Sequence, residues 1–298
     1  MESTDLVERI GNVDFELTYL CNLNCRHCYN PTHAKSKEFS TGQVQAIAEQ
    51  VKKAGFQEIH FNGGEPLIRK DIYEILRHSG NIGLRTILET NSVLLSEPES
   101  LARIRGIIVR ASIDGSESAH NAIRRNKTGE NAYRTAMDNL GNARKEGVKI
   151  QVTCSVNRMN YDTIYEMVAD ACQRGLDDVR LRLSMPSGFA AANWECLEME
   201  RNMLEEVYTS SKRIEKDFPS LRFNYASLRR GVPDFEPKFF IDPRGMVKPY
   251  PFIEYFIGDL NRDSVETVLE RIPSAHLPQL HKEKMMRYLT KLGMVKDE

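Results

Sequence analysis

The chain has 298 residues, 41% of them hydrophobic and 28% charged, enough to bury a sizeable core in one large domain with an appendage. Its net charge of −1 offers no general attraction to nucleic acid or membranes, and six cysteines in so long a chain suit a reducing compartment rather than a disulfide framework. The acidic start Met1-Glu2-Ser3-Thr4-Asp5 lacks the order of a signal peptide and no apolar run approaches transmembrane length, so a cytoplasmic protein is expected.

Strand-like segments at 13–18, 57–61, 84–88, 107–113, 149–156 and 178–184 alternate with amphipathic stretches at 41–54, 70–79, 97–104, 130–146 and 160–174. Helical spacing is clear in Tyr133, Ala136, Met137, Leu140 and Ala143, and in Ile164, Met167, Val168, Ala171 and Cys172. This alternation predicts parallel βα units, and six of them make an open barrel rather than a closed eight. Within the strands, Val109, Ala111 and Ile113 oppose Arg110, Ser112 and Asp114, while Ile150, Val152, Cys154 and Val156 oppose Gln151, Thr153, Ser155 and Asn157. Helices cover apolar faces, so the polar set, with Glu16, Thr18, Arg180, Arg182 and Ser184, is expected to face the lumen and accept polar ligands.

Just past the first of these strands stand Cys21, Cys25 and Cys28, in Cys-Asn-Leu-Asn-Cys-Arg-His-Cys-Tyr. Three thiolates on one short loop ligate three irons of a four-iron, four-sulfur cluster and leave the fourth open to a ligand. Zinc is the competing reading, but it needs a fourth ligand and usually a second pair. His27 is badly placed for that, and Cys154, Cys172 and Cys196 form no pair. Gly63-Gly64-Glu65-Pro66 follows the second strand; alone, such a turn is only a loop.

Taken together, these motifs resemble the radical S-adenosylmethionine (SAM) superfamily, in the family's order. The cysteines match its CxxxCxxC signature and Gly63-Gly64-Glu65 its GGE motif. Thr90-Asn91 resembles its TNG element with Ser92 in place of glycine. Ser112-Ile113-Asp114-Gly115 with His120 and Arg124 resembles SxDG followed by His and Arg, and Val156-Asn157-Arg158-Met159-Asn160 resembles its VNxxN turn. The resemblance covers about residues 13–190 and implies an α/β partial (β/α)6 TIM-like barrel. It also implies one 4Fe-4S cluster, SAM as cofactor, reductive cleavage to a 5′-deoxyadenosyl radical, and an external electron donor such as flavodoxin or ferredoxin. On that basis Gly63, Gly64 and Glu65 would hold the SAM ammonium and Ser112 or Arg124 its carboxylate, with Asn91, Asp114 and Asn157 completing the site. Tyr29 either packs near the adenine or simply fills space.

Several side chains carry two readings. Arg180 and Arg182 either bind an anionic substrate group or pair with Glu16 or Asp114. His60 is either catalytic or a satisfied core histidine, and His33 and Lys35 are expected to be solvated. Cys154 and Cys172 read as core, whereas Cys196, expected near the barrel mouth, is a candidate hydrogen-atom donor.

Beyond a linker around Gly231-Val232-Pro233-Asp234, residues 231–298 form a second region after a barrel of 1–230. Its segment from Phe239 to Phe252, followed by Ile257-Gly258-Asp259-Leu260, resembles the SPASM or twitch extension of radical SAM enzymes, an α+β module. Tyr250 stands where that pattern carries cysteine, and no cysteine follows Cys196, so an auxiliary cluster has no thiolates to hold it. Tyr250 is therefore either a second candidate for hydrogen transfer or a packed aromatic in the vacated site. The short stretch before Val13 leaves no room for a leader-binding domain, which favours a polar small molecule such as a sugar, aminoglycoside or nucleoside-like metabolite, altered by epimerisation or related natural-product chemistry. A ribosomal peptide is the alternative substrate, and a catalytically silent scaffold the alternative of another class.

Overall fold

A computed structural model describes residues 3–104, 106–229, 237–251, 253–274 and 279–294. Its strands in chain order are β1 (Val13–Glu16), β2 (Leu23–Cys25), β3 (Glu58–Asn62), β4 (Arg85–Thr90), β5 (Ile107–Ser112), β6 (Arg124–Asn126), β7 (Lys149–Val156), β8 (Asp178–Leu183), β9 (Arg222–Asn224), β10 (Phe239–Ile241), β11 (Met246–Lys248) and β12 (Gly258–Asp259). One sheet runs β12-β11-β10-β1-β3-β4-β5-β7-β8-β9, and β2 and β6 form a separate antiparallel ribbon. The six strands read from the sequence are β1, β3, β4, β5, β7 and β8, and they lie side by side and parallel. The sheet curves as an open, TIM-like partial barrel with β12 and β9 as its edges.

Each of the five amphipathic stretches read from the sequence carries a helix, at Thr41–Lys53, Ile72–Asn81, Pro98–Ala102, Ala132–Lys145 and Ile164–Gln173. Ser40 starts the first of these through a capping box with Gln43, and Asn131 caps the fourth through Arg134 N. The last helix begins later than the spacing suggests, because residues 157–161 are spent on a turn in which Asn160 N and Tyr161 N both donate to Asn157 O. The outer faces of the strands supply Phe15, Ile59, Phe61, Leu88, Val109, Val152 and Leu181, packed against Val44, Ile47, Ile75, Leu76, Met137, Leu140 and Met167 in one continuous core. Burying each such side chain contributes roughly 1.5–3 kcal/mol, which commits the apolar face outward and leaves the polar face inside.

Two further strands flank these six. Arg222–Asn224 adds a parallel strand beside β8, in the register Asp178 to Arg222. Phe239–Ile241 adds one on the other flank, pairing parallel with β1 from Val13 to Phe239. The C-terminal hairpin of β10, β11 and β12 thus continues the barrel sheet. The expected linker at 231–234, and Phe252, lie outside the described residues. No helix among the described residues is long and apolar enough to cross a membrane.

Candidate active site

The site is assembled by two loops at the carboxyl ends of β1 and β3. Gly64 N donates to Thr18 O (2.7 Å) and Glu65 N to Leu20 O (2.8 Å). A Cβ at Gly63 would stand 2.4 Å from Thr18 O, and one at Gly64 2.1 Å from Leu20 O, so only glycine permits this approach. Glu65 is fully buried: Oε1 accepts from Leu67 N (3.0 Å) and Thr90 Oγ1 (2.8 Å), and Oε2 from Asn91 N (2.8 Å). Its carboxylate therefore ties the β3 loop to the end of β4, and Asn91 in turn donates to Asn22 Oδ1 (2.8 Å) beside Cys21.

The ribbon of β2 and β6 sets Cys25 opposite Arg124. Polar groups converge on all three sulfurs: Leu23 N donates to Cys21 Sγ (3.4 Å), Arg124 Nη1 donates to Cys25 Sγ (3.9 Å), and His33 Nε2 lies 3.5 Å from Cys28 Sγ. Burial pushes each thiol up to about 12, and the neighbouring cysteines repel one another's charge. Thiols so disposed lose their protons to a metal rather than to water.

Arg124 is held from behind. Its Nε donates to Asp114 Oδ2 (2.6 Å), which His27 Nε2 also reaches (2.6 Å), while Ser155 N donates to Asp114 Oδ1 (2.8 Å). Asp114 is buried, yet the charges of Arg124 and His27 outweigh the burial and hold its carboxyl far below the usual range. His120 accepts from Asp114 N (3.1 Å), and burial together with Arg124 lowers it to about 3, so it stays neutral.

A cavity of about 290 Å³ opens over these groups. Of the residues singled out from the sequence, Cys21, Cys25, Cys28, Tyr29, Gly63, Gly64, Asn91, Ser112 and Arg124 line it. Glu65 and Asp114 sit behind the wall as supports, and Asn157 spends its side chain on Ser155 O (2.9 Å) and Met159 N (2.9 Å) within its own turn. The Cys196 thiol donates to Asn193 O (3.1 Å) and, like the buried Tyr250, is not part of the lining. Asp14, Glu89, Thr153, Ser155, Met185 and Pro251 line the cavity without having been singled out as site residues; the inward alternation of β1, β4 and β7 was the available signal for four of them. His33, expected to be solvated, lines it too, its ring 4.9 Å from that of Phe189 and tilted by 49°, because residues 188–190 fold back onto the cysteine loop, Ala190 N reaching Cys28 O (2.9 Å).

Below the cavity runs a charged layer. His60 contacts Asp14 Oδ1 (3.1 Å) and Glu58 Oε1 (2.6 Å), while Arg110 donates to Glu89 Oε1 (2.6 Å) and Gln151 Oε1 (2.7 Å). Ligand atoms of Asp14, His60 and Glu89 lie within 4.8 Å of one another, but Arg110, 3.3 Å from His60, already brings positive charge there. Neither Glu16 nor Asp114 pairs with Arg180 or Arg182: Glu16 faces Lys248 (3.8 Å), and Asp114 faces Arg124. A wider hollow of about 830 Å³ lies at the opposite, amino-terminal end of the strands and has no cysteine in its lining.

Fold and site define an α/β partial-barrel enzyme with a thiolate-held metal centre at the carboxyl ends of its strands. The chain belongs to the radical SAM superfamily, whose family model matches residues 15–174. It is 31% identical over 185 residues to the AdoMet-dependent heme synthase of Nitratidesulfovibrio vulgaris, covering 60% of this chain and 49% of that one. It is 32% identical over 207 residues to the PqqA peptide cyclase of Gluconobacter oxydans, covering 68% and 56%. The chain thus spans about half the length of these curated relatives. In fold it is similar to Streptococcus suis SuiB bound to precursor peptide SuiA, with a TM-score of 0.73 at 14% identity over 88% of this chain and 64% of that one. The superfamily uses a 4Fe-4S cluster and SAM. The residues present fit both: three adjacent thiols, polar hydrogens aimed at the sulfurs, and a guanidinium beside them to offset their charge.

Proposed function

We propose that this chain is a radical SAM enzyme that modifies a ribosomally made peptide by activating a C–H bond. Cys21, Cys25 and Cys28 would hold the cluster, and Arg124, Ser112, Asn91 and the Gly63-Gly64 backbone would hold the amino-acid end of SAM. When bound, the cluster and SAM supply the radical that abstracts hydrogen; the chain supplies orientation and exclusion of water. Asp114 keeps the Arg124 guanidinium fixed toward Cys25, so the carboxylate of the cofactor meets a charge already in place. The observation that carries the peptide reading is the similarity to a relative named as a peptide cyclase, over more than half of its length. It favours a peptide over the sugar or aminoglycoside expected from the sequence.

The test is anaerobic reconstitution with dithionite and SAM, with short peptides encoded beside the gene and a panel of aminoglycosides supplied in parallel. Formation of 5′-deoxyadenosine and methionine that Cys25→Ala abolishes, together with a mass change on a peptide, is the expected result. Turnover of an aminoglycoside and no peptide would return the reading to a small-molecule substrate.

A further inference from the structure

One wall of the cavity is built by β7 and β8, whose register sets Ser155 beside Arg182 and Thr153 beside Arg180. Thr153, Ser155, Arg182 and Ser184 all line the cavity. Its other two arginines are committed, Arg110 to Glu89 and Arg124 to Asp114, each at 2.6 Å. Arg182 has no ion pair and no hydrogen bond among the described residues. Asp14, an acid that feels its charge, already holds His60 at 3.1 Å and accepts from Asn12 at 2.9 Å. Thr153 Oγ1 and Ser184 Oγ are buried without a hydrogen-bond partner among the described residues. Arg182 is exposed to solvent, so its free charge carries no such penalty, but a buried hydroxyl left unpaired costs about 1–3 kcal/mol, and a wall with two of them is incomplete without a ligand.

We infer that Arg182, with the hydroxyls of Thr153 and Ser184, binds a carboxylate of the substrate peptide and so selects an acidic residue for the cavity. The inference rests on the peptide reading above. One unpaired positive charge matches a monoanion, and a guanidinium fork matches a carboxylate. A phosphate, carrying nearly twice the charge, would also face Asp14 and Glu89 on the cavity floor. The division of labour follows the chain: groups from β1 to β6 serve SAM, and groups on and just past β7 and β8 serve the substrate.

The experiment offers an equimolar library of random peptides, blocked at both ends, to the reconstituted enzyme with SAM under anaerobic filtration, and sequences what is retained. Wild type is expected to enrich Asp- and Glu-containing peptides. Arg182→Gln should cut that enrichment about tenfold, as loss of a charged contact does, and Arg182→Glu should turn the preference toward Lys and Arg. Ser184→Ala, a smaller change, should reduce acidic enrichment without reversing it. Iron content and near-ultraviolet circular dichroism equal to wild type establish that each variant is folded. Equal enrichment by wild type and Arg182→Gln, or no acidic preference in wild type, overturns the inference. Acidic enrichment by a wild-type enzyme that cleaves no SAM would instead remove the radical chemistry proposed above and leave the anion site standing.

Discussion

Ser92 is the one described non-glycine residue with positive φ (65°), it is fully buried, and its hydroxyl has no partner among the described residues. Left-handed backbone costs such a residue about 1–2 kcal/mol and an unpaired buried hydroxyl about 1–3, against 0.5–1 for the added freedom of glycine in the unfolded chain. Ser92→Gly should therefore stabilise the protein, raising the thermal midpoint by a few degrees. Asp114→Asn works in the other direction: it leaves Arg124 buried without its carboxylate, and urea unfolding should show a loss of about 3 kcal/mol. The cysteine triad was legible from sequence because its ligands lie within one loop. The supporting roles of Glu65 and Asp114 were not, because their partners, Thr90 on β4 and Arg124 on β6, lie on other strands. The cavity contact of His33 depends on residues 188–190, more than a hundred positions away, and no local pattern reports such a fold-back.

At the scale of elements, the charged layer of β1, β3, β4 and β5 ties stability to pH. Burial disfavours the His60 cation, but hydrogen bonds to Asp14 and Glu58 outweigh it and raise His60 to about 9. The ordinary value is 6.5, so the stabilisation is complete below that pH and fades as pH rises through 9, by no more than about 3 kcal/mol. Chemical denaturation from pH 6 to 10 should show this decline, and His60→Gln should flatten it. The six barrel strands were readable because each alternates polar and apolar residues against a helix-covered face. β9 was not. It is an edge strand of only 3 residues, too short a run for a period to register.

For the whole molecule, the seam between barrel and C-terminal hairpin holds a buried pair, Glu16 at 0% exposure and Lys248 at 4%, with Lys248 Nζ 4.7 Å from the Phe240 ring. Burial raises Glu16 to about 7 despite the charge of Lys248. Ionising it in the folded state thus weakens folding as pH climbs from 4.5 to 7, and without Lys248 that loss extends to higher pH. Lys248→Met should therefore match wild type most closely near pH 5 and fall progressively behind it toward pH 9, measured as unfolding free energy.

The pairing of β10 with β1 also sets an order of events during synthesis. One flank of β1 finds its partner early, in β3, but the other waits for Phe239–Ile241, and the bond from Tyr19 to Asp242 spans 223 positions. Until the ribosome has made that far segment, an apolar strand edge next to the cysteine loop stays open to water and to other nascent chains. Loading iron onto the cysteines would then be safest as the last act of assembly, after the late strand has closed the sheet over its first one.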